Sequence, residues 1–282
     1  MSIIEAIILG VIQGLTEFLP ISSTGHLTVA GKLMGLISAE NPERWTSFIA
    51  VIQMGTLVAI LIYFWKDLWN ILIDFFKDNL FKRKGFKEQS QNSKMGWYII
   101  IGSIPVVIIG LGFKDLIEGA FTKNLYVIGI SLIVLGLILS FAEKIGKFNR
   151  ELKDLTWKDA LVIGFAQCLA LIPGSSRSGT TITGGLFLGF KRETAARFSF
   201  LLSVPAIFGS GLLQFIDSLE YIDYSGIVDL SIATIAAAIS GYLTIEFLLR
   251  YLKNHSTNVF VFYRIIIGST ILFLIVEGII KP

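Results

Sequence analysis

The sequence contains few of the residues that mark soluble enzymes and metal-binding proteins. Of its 282 residues, 16% are charged, two are histidine and one, Cys168, is cysteine, whereas soluble domains carry about 25% charged residues. A single cysteine excludes an internal disulfide and argues against a metal–thiolate site, and a net charge of +3 argues against a nucleic-acid partner. Because 54% of the residues are hydrophobic and the mean hydropathy is +0.73, the composition predicts an integral membrane protein.

Long apolar runs predict an all-α polytopic protein with six full transmembrane helices. A helix needs about 20 apolar residues to cross the hydrocarbon core. Six segments meet this requirement: 45–65, 95–113, 124–142, 195–216, 227–249 and 259–280. Lysine and arginine concentrate in the connections after the first, third and fifth segments. Because such connections face the cytoplasm, the first segment is expected to run inward and the fourth outward.

Two further apolar regions are interrupted and are too short on either side to cross the membrane. The first, 2–37, is broken at Pro20, and the second, 159–190, is broken at Pro173 and Gly174. Non-helical backbone at membrane depth is tolerated only where it is buried in protein or lines a wet cavity. Both regions are therefore interpreted as re-entrant helical hairpins. The directions of the neighbouring segments predict that they enter from opposite faces.

The two hairpins also resemble each other in sequence. The identical pairs that a shift of 154 residues aligns include Gly10 with Gly164, Gln13 with Gln167, Leu15 with Leu169, Ser22 with Ser176, Gly25 with Gly179, Gly31 with Gly185, and Gly35 with Gly189. Together with the opposite directions of insertion, this match indicates an inverted-topology repeat. The expected organisation is a single membrane domain, 1–282, with halves 1–142 and 143–282.

Each break carries a cluster of hydroxyl-bearing residues. The first reads LPISSTGHL from Leu19, and the second reads IPGSSRSGTT from Ile172. Serine and threonine are good helix caps, so each cluster is expected to start a half-helix whose free N–H groups and positive dipole end attract anions. Arg177 in the second cluster can hold a phosphate through two parallel hydrogen bonds, and its charge costs at least ~2.5–3.5 kcal/mol deep in a bilayer. The pattern predicts an anion site shared by both breaks.

The residues around the first break supply the expected chemistry, which is phosphoryl cleavage. Glu17 and Gln13 are four apart and share a helix face; Glu17 can serve as a metal ligand, a general base or the salt-bridge partner of Arg177. His26 suits proton transfer near neutral pH, and the nucleophile can be His26, Ser23 or an activated water. With one carboxylate in view, a metal would be a hard ion such as Mg²⁺ or Ca²⁺, held by Glu17 and Gln13 with hydroxyl and substrate oxygens.

Other polar stretches are expected to serve the membrane setting rather than the chemistry. DLWNILIDFFKDNLF, from Asp67, is amphipathic and predicts a helix in the cytoplasmic interface. KRKGFKEQSQNSK, from Lys82, predicts a mobile polar loop. Arg264 and Glu246 lie near the ends of predicted spans, where long side chains can extend to the interface.

Two signatures resemble those of a known family. QGLTEFLPISSTGH, from Gln13, resembles the (E/Q)xxxE and Ser-Ser-Thr-Gly-His signature of the bacterial undecaprenyl-pyrophosphate phosphatases, the bacitracin-resistance proteins. PGSSRSGTT, from Pro173, is similar to that family's PGxSRSxxT signature, and the resemblance covers essentially the whole chain. It implies hydrolysis of a polyprenyl pyrophosphate lipid to the monophosphate carrier of cell-wall synthesis, in the bacterial plasma membrane. It also implies a site open toward the outer face, dependence on Mg²⁺ or Ca²⁺, and a homodimer.

The same resemblance implies roles for individual residues. Carried over to matching positions, Glu17, His26 and Arg177 are the essential residues, and Ser23 stays a candidate nucleophile. The residues implied to support binding of the pyrophosphate are Ser22, Thr24, Ser176, Ser178 and Thr181. A polyprenyl-phosphate transporter or flippase is the alternative, because inverted repeats with broken helices also form transporters. Only the phosphatase needs His26 or Ser23 as a reacting group.

Overall fold

The computed structural model describes residues 1–37, 42–113, 120–218 and 224–281 and is all-helical across these ranges, apart from one isolated bridge between Arg150 and Phe190. Short 3₁₀ or π turns join some of the α-helices. The α-helices in these ranges are α1 (Ile3–Phe18), α2 (Ser23–Leu33), α3 (Pro42–Tyr63), α4 (Trp65–Phe76), α5 (Gln91–Gly112), α6 (Leu125–Ile145), α7 (Trp157–Cys168), α8 (Arg177–Phe187), α9 (Arg192–Ser218), α10 (Tyr224–Asn254) and α11 (Asn258–Val276).

Six of these helices, α3, α5, α6, α9, α10 and α11, are long and apolar enough to cross a membrane. The six predicted transmembrane segments are therefore confirmed in number and order. Large apolar side chains on their outer faces, such as Ile108, Ile239 and Phe262, are more than 60% exposed. An apolar surface of this extent suits lipid rather than water, and the chain is a multi-pass membrane protein.

Four shorter helices form two consecutive pairs that share one local plan. The first helix of each pair, α1 or α7, begins with a capping box, at Ser2 and at Thr156 respectively. The second helix of each pair, α2 or α8, spans 11 residues and follows a serine with positive φ, 76° at Ser22 and 67° at Ser176. The shift of 154 residues relates both pairs of caps. The similarity read from the sequence therefore extends to the backbone.

The first helix of each pair packs against a long helix from the other half of the chain. α1 lies along α10, where Gly10 faces the backbone carbonyl of Ala233, and α7 lies along α5, where Gly164 faces the backbone carbonyl of Gly102. A Cβ at either glycine would overlap that carbonyl oxygen. These exchanged contacts hold the N-terminal and C-terminal halves of the chain together.

The polar segment after α4 has a defined structure, contrary to the prediction of a mobile loop. Asp78 accepts a hydrogen bond from the backbone N–H of Ser90 (2.7 Å) and pairs with Lys84 (2.8 Å), and the Gln89 amide donates to Asn79 (2.9 Å). Lys84, with help from Ser90, lowers the pKa of Asp78 to about 2. The composition suggested mobility because it has few apolar residues, but the hydrogen bonds within the segment supply the order. α4 is helical, as predicted, and has no buried residue; its place in the cytoplasmic interface stays a prediction.

The close approach of α7 to α5 predicts opposite effects of the same substitution at two glycines. Gly164→Ala should lower the midpoint of thermal unfolding in detergent, at a cost of roughly 1–3 kcal/mol, because its Cβ meets a backbone carbonyl that cannot move aside. Gly110→Ala in α5 is the control, since nothing lies near its Cβ and alanine is the better helix former. Equal midpoints for the two variants would contradict this packing.

The contacts of Asp78 predict that its substitution raises the sensitivity of the polar segment to trypsin. Asp78→Asn loses the charge that holds Lys84, so trypsin should cut between Lys82 and Lys87 at least several-fold faster than in the parent protein, measured as loss of intact chain over time. Glu88→Gln, in the same segment, is the matched control. Unchanged cleavage of the Asp78 variant would show that other contacts order the segment.

Candidate active site

The two hydroxyl clusters lie side by side where the breaks of both helix pairs meet. Ser178 Oγ donates a hydrogen bond to the carbonyl oxygen of Leu19 (2.9 Å), and Ser176 Oγ lies 3.5 Å from the same oxygen. Leu19 ends α1, and Ser178 lies in the first turn of α8. Direct contact between the breaks is what the sequence predicted for a shared site.

The same cap starts the second helix at both breaks. Ser22 Oγ accepts from the backbone N–H of Gly25 (3.3 Å), and Ser176 Oγ accepts from the backbone N–H of Gly179 (3.1 Å). A positive φ at a residue other than glycine is strained, so both serines are held in place by their surroundings. The N-terminal ends of α2 and α8 therefore meet at the breaks, which concentrates positive dipole ends there.

Glu17 is the centre of the buried polar cluster. One carboxylate oxygen accepts from Arg177 Nη2 (2.5 Å), and the other accepts from Ser23 Oγ (2.6 Å) and from Gln13 Nε2 (2.9 Å). Arg177 also donates to the carbonyl oxygen of Ser203 (3.3 Å). The salt bridge that the sequence offered as one role of Glu17 is therefore present. Ser23 is held with its hydroxyl proton directed at a carboxylate.

His26 lies apart from this cluster. Its Nδ1 is 2.7 Å from the carbonyl oxygen of Ser22 and therefore donates to it, which leaves Nε2 of the neutral ring to accept from the Tyr263 hydroxyl at 2.8 Å. The rings of His26 and Tyr263 stack with centroids 5.6 Å apart. Tyr263 lies in an apolar span, and the sequence gave no signal for its contact with His26.

A cavity of about 500 Å³ opens beside the breaks. Glu17, Ser23 and Arg177 line it, whereas His26 and Gln13 are not among its lining residues. Of the predicted pyrophosphate ligands, Ser22, Thr24 and Ser176 line the cavity, while Ser178 and Thr181 do not. Thr181 instead bonds to Arg177 O (2.7 Å) and Ser199 Oγ (2.6 Å). The remaining walls come from α3, α5, α7, α9 and the turn before α6, and include apolar side chains such as those of Ile49, Val107, Leu111 and Ile207.

The cavity walls hold most of the buried polar atoms that have no hydrogen-bond partner. Across the described ranges there are six such side-chain atoms, and five of them belong to four lining residues: Thr28, Trp45, Gln167 and Ser175. The sixth is Oε1 of Gln13. A buried polar group without a partner costs about 1–3 kcal/mol, so a concentration of them in one cavity indicates a polar ligand. The sequence did not single out these four, because Thr28, Trp45 and Gln167 lie in or beside apolar runs and Ser175 is one of several hydroxyls in the second cluster.

Arg264 lies behind both breaks, and the prediction that it extends to the interface is wrong. It is 1% exposed and donates to the carbonyl oxygens of Leu132 (3.0 Å), Ser131 (3.3 Å), Pro20 (3.3 Å) and Gly174 (3.4 Å). Carbonyls at a helix break lack the N–H partners that a continuous helix supplies, and the guanidinium provides them. Its charge also adds positive potential where the two helix N-termini meet. Glu246, in contrast, keeps one third of its side chain exposed and pairs with Arg250.

Comparison with known proteins places this geometry in a family. The family model described as bacitracin resistance protein BacA matches residues 6–270. This chain belongs to that family. It is 57% identical to the undecaprenyl-diphosphatase of Syntrophobacter fumaroxidans over 275 residues, which cover 98% of both chains. It is 50% identical to the proteins of the same name from Chlorobium phaeobacteroides and Chloroherpeton thalassium, over 99% of this chain in both cases. The family resemblance drawn from the two signatures is confirmed.

The contacts of Arg264 predict that its loss damages this family member structurally. Arg264→Gln should lower the free energy of unfolding by about 3 kcal/mol or more, because several buried carbonyl oxygens lose their donor. Arg264→Lys should recover part of the loss, since an ammonium can serve some of them. The measurement is thermal unfolding in detergent, with Arg250→Gln as the exposed control. A midpoint for Arg264→Gln equal to that of the control would contradict the role of this side chain.

Proposed function

We propose that this protein is an undecaprenyl-diphosphatase, which hydrolyses the diphosphate of a polyprenyl lipid to the monophosphate carrier and inorganic phosphate. The observation that carries the proposal is the buried cluster of Glu17, Ser23 and Arg177 on the cavity. Relatives that match nearly the whole chain are named for the same hydrolysis. Nothing in the described residues favours the alternative of a flippase over the enzyme, and a reactive hydroxyl on a carboxylate has no use in a flippase.

Ser23 is the nucleophile that the contacts favour over His26. Its Oγ is 2.6 Å from Glu17, so the carboxylate can accept the hydroxyl proton as Oγ attacks the terminal phosphorus. The bond between that phosphorus and the bridging oxygen breaks, and the lipid monophosphate leaves. Water then attacks the phosphoserine, which releases inorganic phosphate and restores Ser23. Each step needs only a base, a positioned phosphoryl group and stabilised charge.

Arg177 is the side chain that binds the terminal phosphoryl group through hydrogen bonds. Its fork can bind two phosphate oxygens in parallel, and the incoming diphosphate competes with Glu17 for it. As Arg177 turns to the phosphate, Glu17 keeps its contact with the Ser23 hydroxyl and accepts the proton of that hydroxyl. The dipole ends of α2 and α8, together with Arg264, stabilise the charge that develops on the phosphoryl oxygens.

His26 acts through Ser22 rather than at phosphorus in this proposal. Its ring bonds to the carbonyl oxygen of Ser22, the strained residue directly before Ser23, and so sets the orientation of the nucleophile. Ser22, Thr24 and Ser176 line the cavity and are proposed to bind the pyrophosphate directly. Ser178 and Thr181 are proposed to support them from behind, by holding Leu19 and Arg177 in place.

The side-chain oxygen atoms at the first break are the type of donor that Mg²⁺ and Ca²⁺ prefer. Within the described ranges no three side chains of His, Cys, Asp or Glu lie close enough to hold a metal together. Glu17 and the unpartnered Oε1 of Gln13 are hard oxygen donors, so an ion held there would take its other ligands from water and substrate. Bound in this way, the ion would neutralise charge on the diphosphate. Gln13 lies behind Glu17 and is the weaker of the two donors.

The caps and the helix packing also support a detailed arrangement of the chain in the membrane. We infer that 2–37 and 159–190 are re-entrant hairpins of an inverted repeat with halves 1–142 and 143–282 in one domain. The matched caps and the exchanged packing of α1 and α7 support this. The cavity is lined by the first half of α3 and the second halves of α5 and α9, the ends away from the basic connections. We therefore propose an outward-facing site in the bacterial plasma membrane; the homodimer stays a prediction.

The test is phosphate release from undecaprenyl diphosphate by purified protein in detergent. Ser23→Ala and Arg177→Ala should each lower turnover by several orders of magnitude, because the nucleophile and the phosphate clamp are lost. Folding and insertion should stay intact in Ser23→Ala, whereas Arg177→Ala should also lower the midpoint of thermal unfolding, because it leaves Glu17 buried without its cation. Lys82→Ala, in the cytoplasmic segment, is the control and should be silent. A parent protein that releases no phosphate above the Arg177→Ala level would refute the phosphatase proposal and favour the flippase.

Two further measurements separate the residue roles and the metal. Rapid quenching with substrate labelled in its terminal phosphate should trap label on the chain, and Ser23→Ala should abolish this. His26→Ala should slow turnover but keep the trapped label on Ser23; label lost only with His26 would make the imidazole the nucleophile. A chelator should stop turnover, and added Mg²⁺ or Ca²⁺ should restore it. Full activity in chelator would remove the metal from the mechanism.

A further inference from the structure

Gln167 is a fully buried amide that bonds to nothing in the protein. It lies in the last turn of α7, is 0% exposed and lines the cavity, and neither its Oε1 nor its Nε2 has a hydrogen-bond partner. A leucine or methionine of similar size would fill this position without an unpaired amide. Packing therefore does not account for a glutamine here, and its unpaired amide belongs to a residue in the wall of a cavity that can receive a polar group.

The repeat explains why this amide is available. The shift of 154 residues pairs Gln167 with Gln13 and pairs Leu171 with Glu17. Gln13 Nε2 donates to the Glu17 carboxylate at 2.9 Å, whereas the second break offers an apolar side chain at the matching position. At the first break, the amide N–H of Gln13 therefore bonds to Glu17. At the second break, the matching N–H of Gln167 has no acceptor in the protein and is left for a ligand.

Ser175 provides a second donor beside Gln167. It is 0% exposed, lines the same cavity and has an unpartnered Oγ. The cap of α8 is Ser176, so Ser175 is not needed for capping. It lies two residues before Arg177, on the side of the cavity formed by the second break, while Ser23 and Glu17 belong to the first break.

The two phosphoryl groups of a lipid diphosphate differ in charge, and this difference matches the different donors at the two breaks. The terminal phosphoryl carries up to two negative charges, and the phosphoryl attached to the lipid carries one. Arg177 and the two helix N-termini suit the more highly charged group, which must lie against Ser23. Neutral donors such as an amide N–H and a hydroxyl suit the singly charged group. α7 packs on α5, whose Val107 and Leu111 line the cavity, so an apolar chain could continue from Gln167 along that wall.

We propose that Gln167 and Ser175 form a second phosphoryl subsite, which binds the phosphate that stays on the lipid. This assignment rests on the proposed function, because it names the part of that substrate which the second break holds. Gln167 and Ser175 act as substrate-positioning residues: they seat the leaving group so that the terminal phosphorus faces Ser23. The cavity therefore distinguishes a diphosphate from a monophosphate.

The experiment compares two probes on Gln167→Leu and Ser175→Ala. Binding of methylenediphosphonate, a diphosphate that cannot be cleaved, and of inorganic phosphate is measured by titration calorimetry on protein purified in detergent. Both variants should bind the diphosphonate about 10- to 100-fold more weakly, the range for one hydrogen bond to a charged group. Inorganic phosphate, held by Arg177, should bind within about 2-fold of the parent protein. In both variants, the KM for undecaprenyl diphosphate should rise in parallel with the Kd for methylenediphosphonate.

Thermal unfolding separates this role from a structural one. Gln167→Leu removes an unpartnered amide, so its midpoint should equal or exceed that of the parent protein; a glutamine that served packing would instead lower it. Gln91→Leu, the same change outside the cavity, is the control for all measurements. Ser175→Ala removes one oxygen atom and keeps the test valid if the leucine variant folds poorly.

The outcomes are distinct for the subsite and for the phosphatase. Unchanged diphosphonate binding in both variants, or equal weakening of both probes, would overturn the subsite while leaving turnover of the parent protein intact. No phosphate release from undecaprenyl diphosphate by the parent protein would refute the proposed function, yet selective loss of diphosphonate binding would still support the subsite. A parent protein that binds neither probe would refute the subsite as well.

Discussion

The buried ion pair between Glu17 and Arg177 is the interaction on which the rest of the site depends. The two charges come from breaks 160 residues apart and meet at 2.5 Å in a membrane protein. The desolvation of such a pair is repaid only where further hydrogen bonds complete both partners. Here Ser23 and Gln13 complete the carboxylate, and the carbonyl of Ser203 helps complete the guanidinium. The pair therefore fixes the separation and the register of the two breaks.

Two breaks with similar backbones carry different side chains. Both breaks use a strained serine as the cap of an 11-residue helix, so the free N–H groups and dipoles of the two ends add in one place. At the matched positions, however, the first break has Glu17 and Ser23, where the second has Leu171 and Arg177. In the proposed mechanism, the first break supplies the base and the hydroxyl, and the second supplies the cation. Catalysis at phosphorus requires both sets of groups together, which explains why the breaks must touch.

Backbone groups freed by the breaks need partners, and the long helices provide them. Arg264 of α11 donates to the carbonyls of Pro20 and Gly174, one in each break. Gly10 and Gly164 let α1 and α7 approach the backbones of α10 and α5 closely. The irregular backbone at the site is therefore stable because regular helices surround it. In the re-entrant arrangement proposed above, such surroundings are the condition for non-helical structure within a membrane.

The sequence alone determined the features that follow from composition and local pattern. Low charge and six long apolar runs are sufficient to predict the spans, because a bilayer imposes a minimum helix length. Proline, glycine and serine are sufficient to locate the breaks and caps, since these residues act on neighbouring backbone. The rarity of Glu17 and Arg177 in apolar runs marked them as site residues, because buried charge needs a reason.

The tertiary structure decided which side chains meet. Arg264 was misassigned, because nothing local shows that a residue near a span end turns inward toward carbonyls from three distant segments. The separation of His26 from the Glu17 cluster depends on which face of α2 meets α1 and which meets Tyr263. Gln167 could be recognised only by the partners it lacks, and a hydrogen-bond inventory exists only once the chain is folded. Caps and helix breaks depend on residues that are neighbours in the sequence. Contacts between side chains 100 residues or more apart depend on how the helices pack.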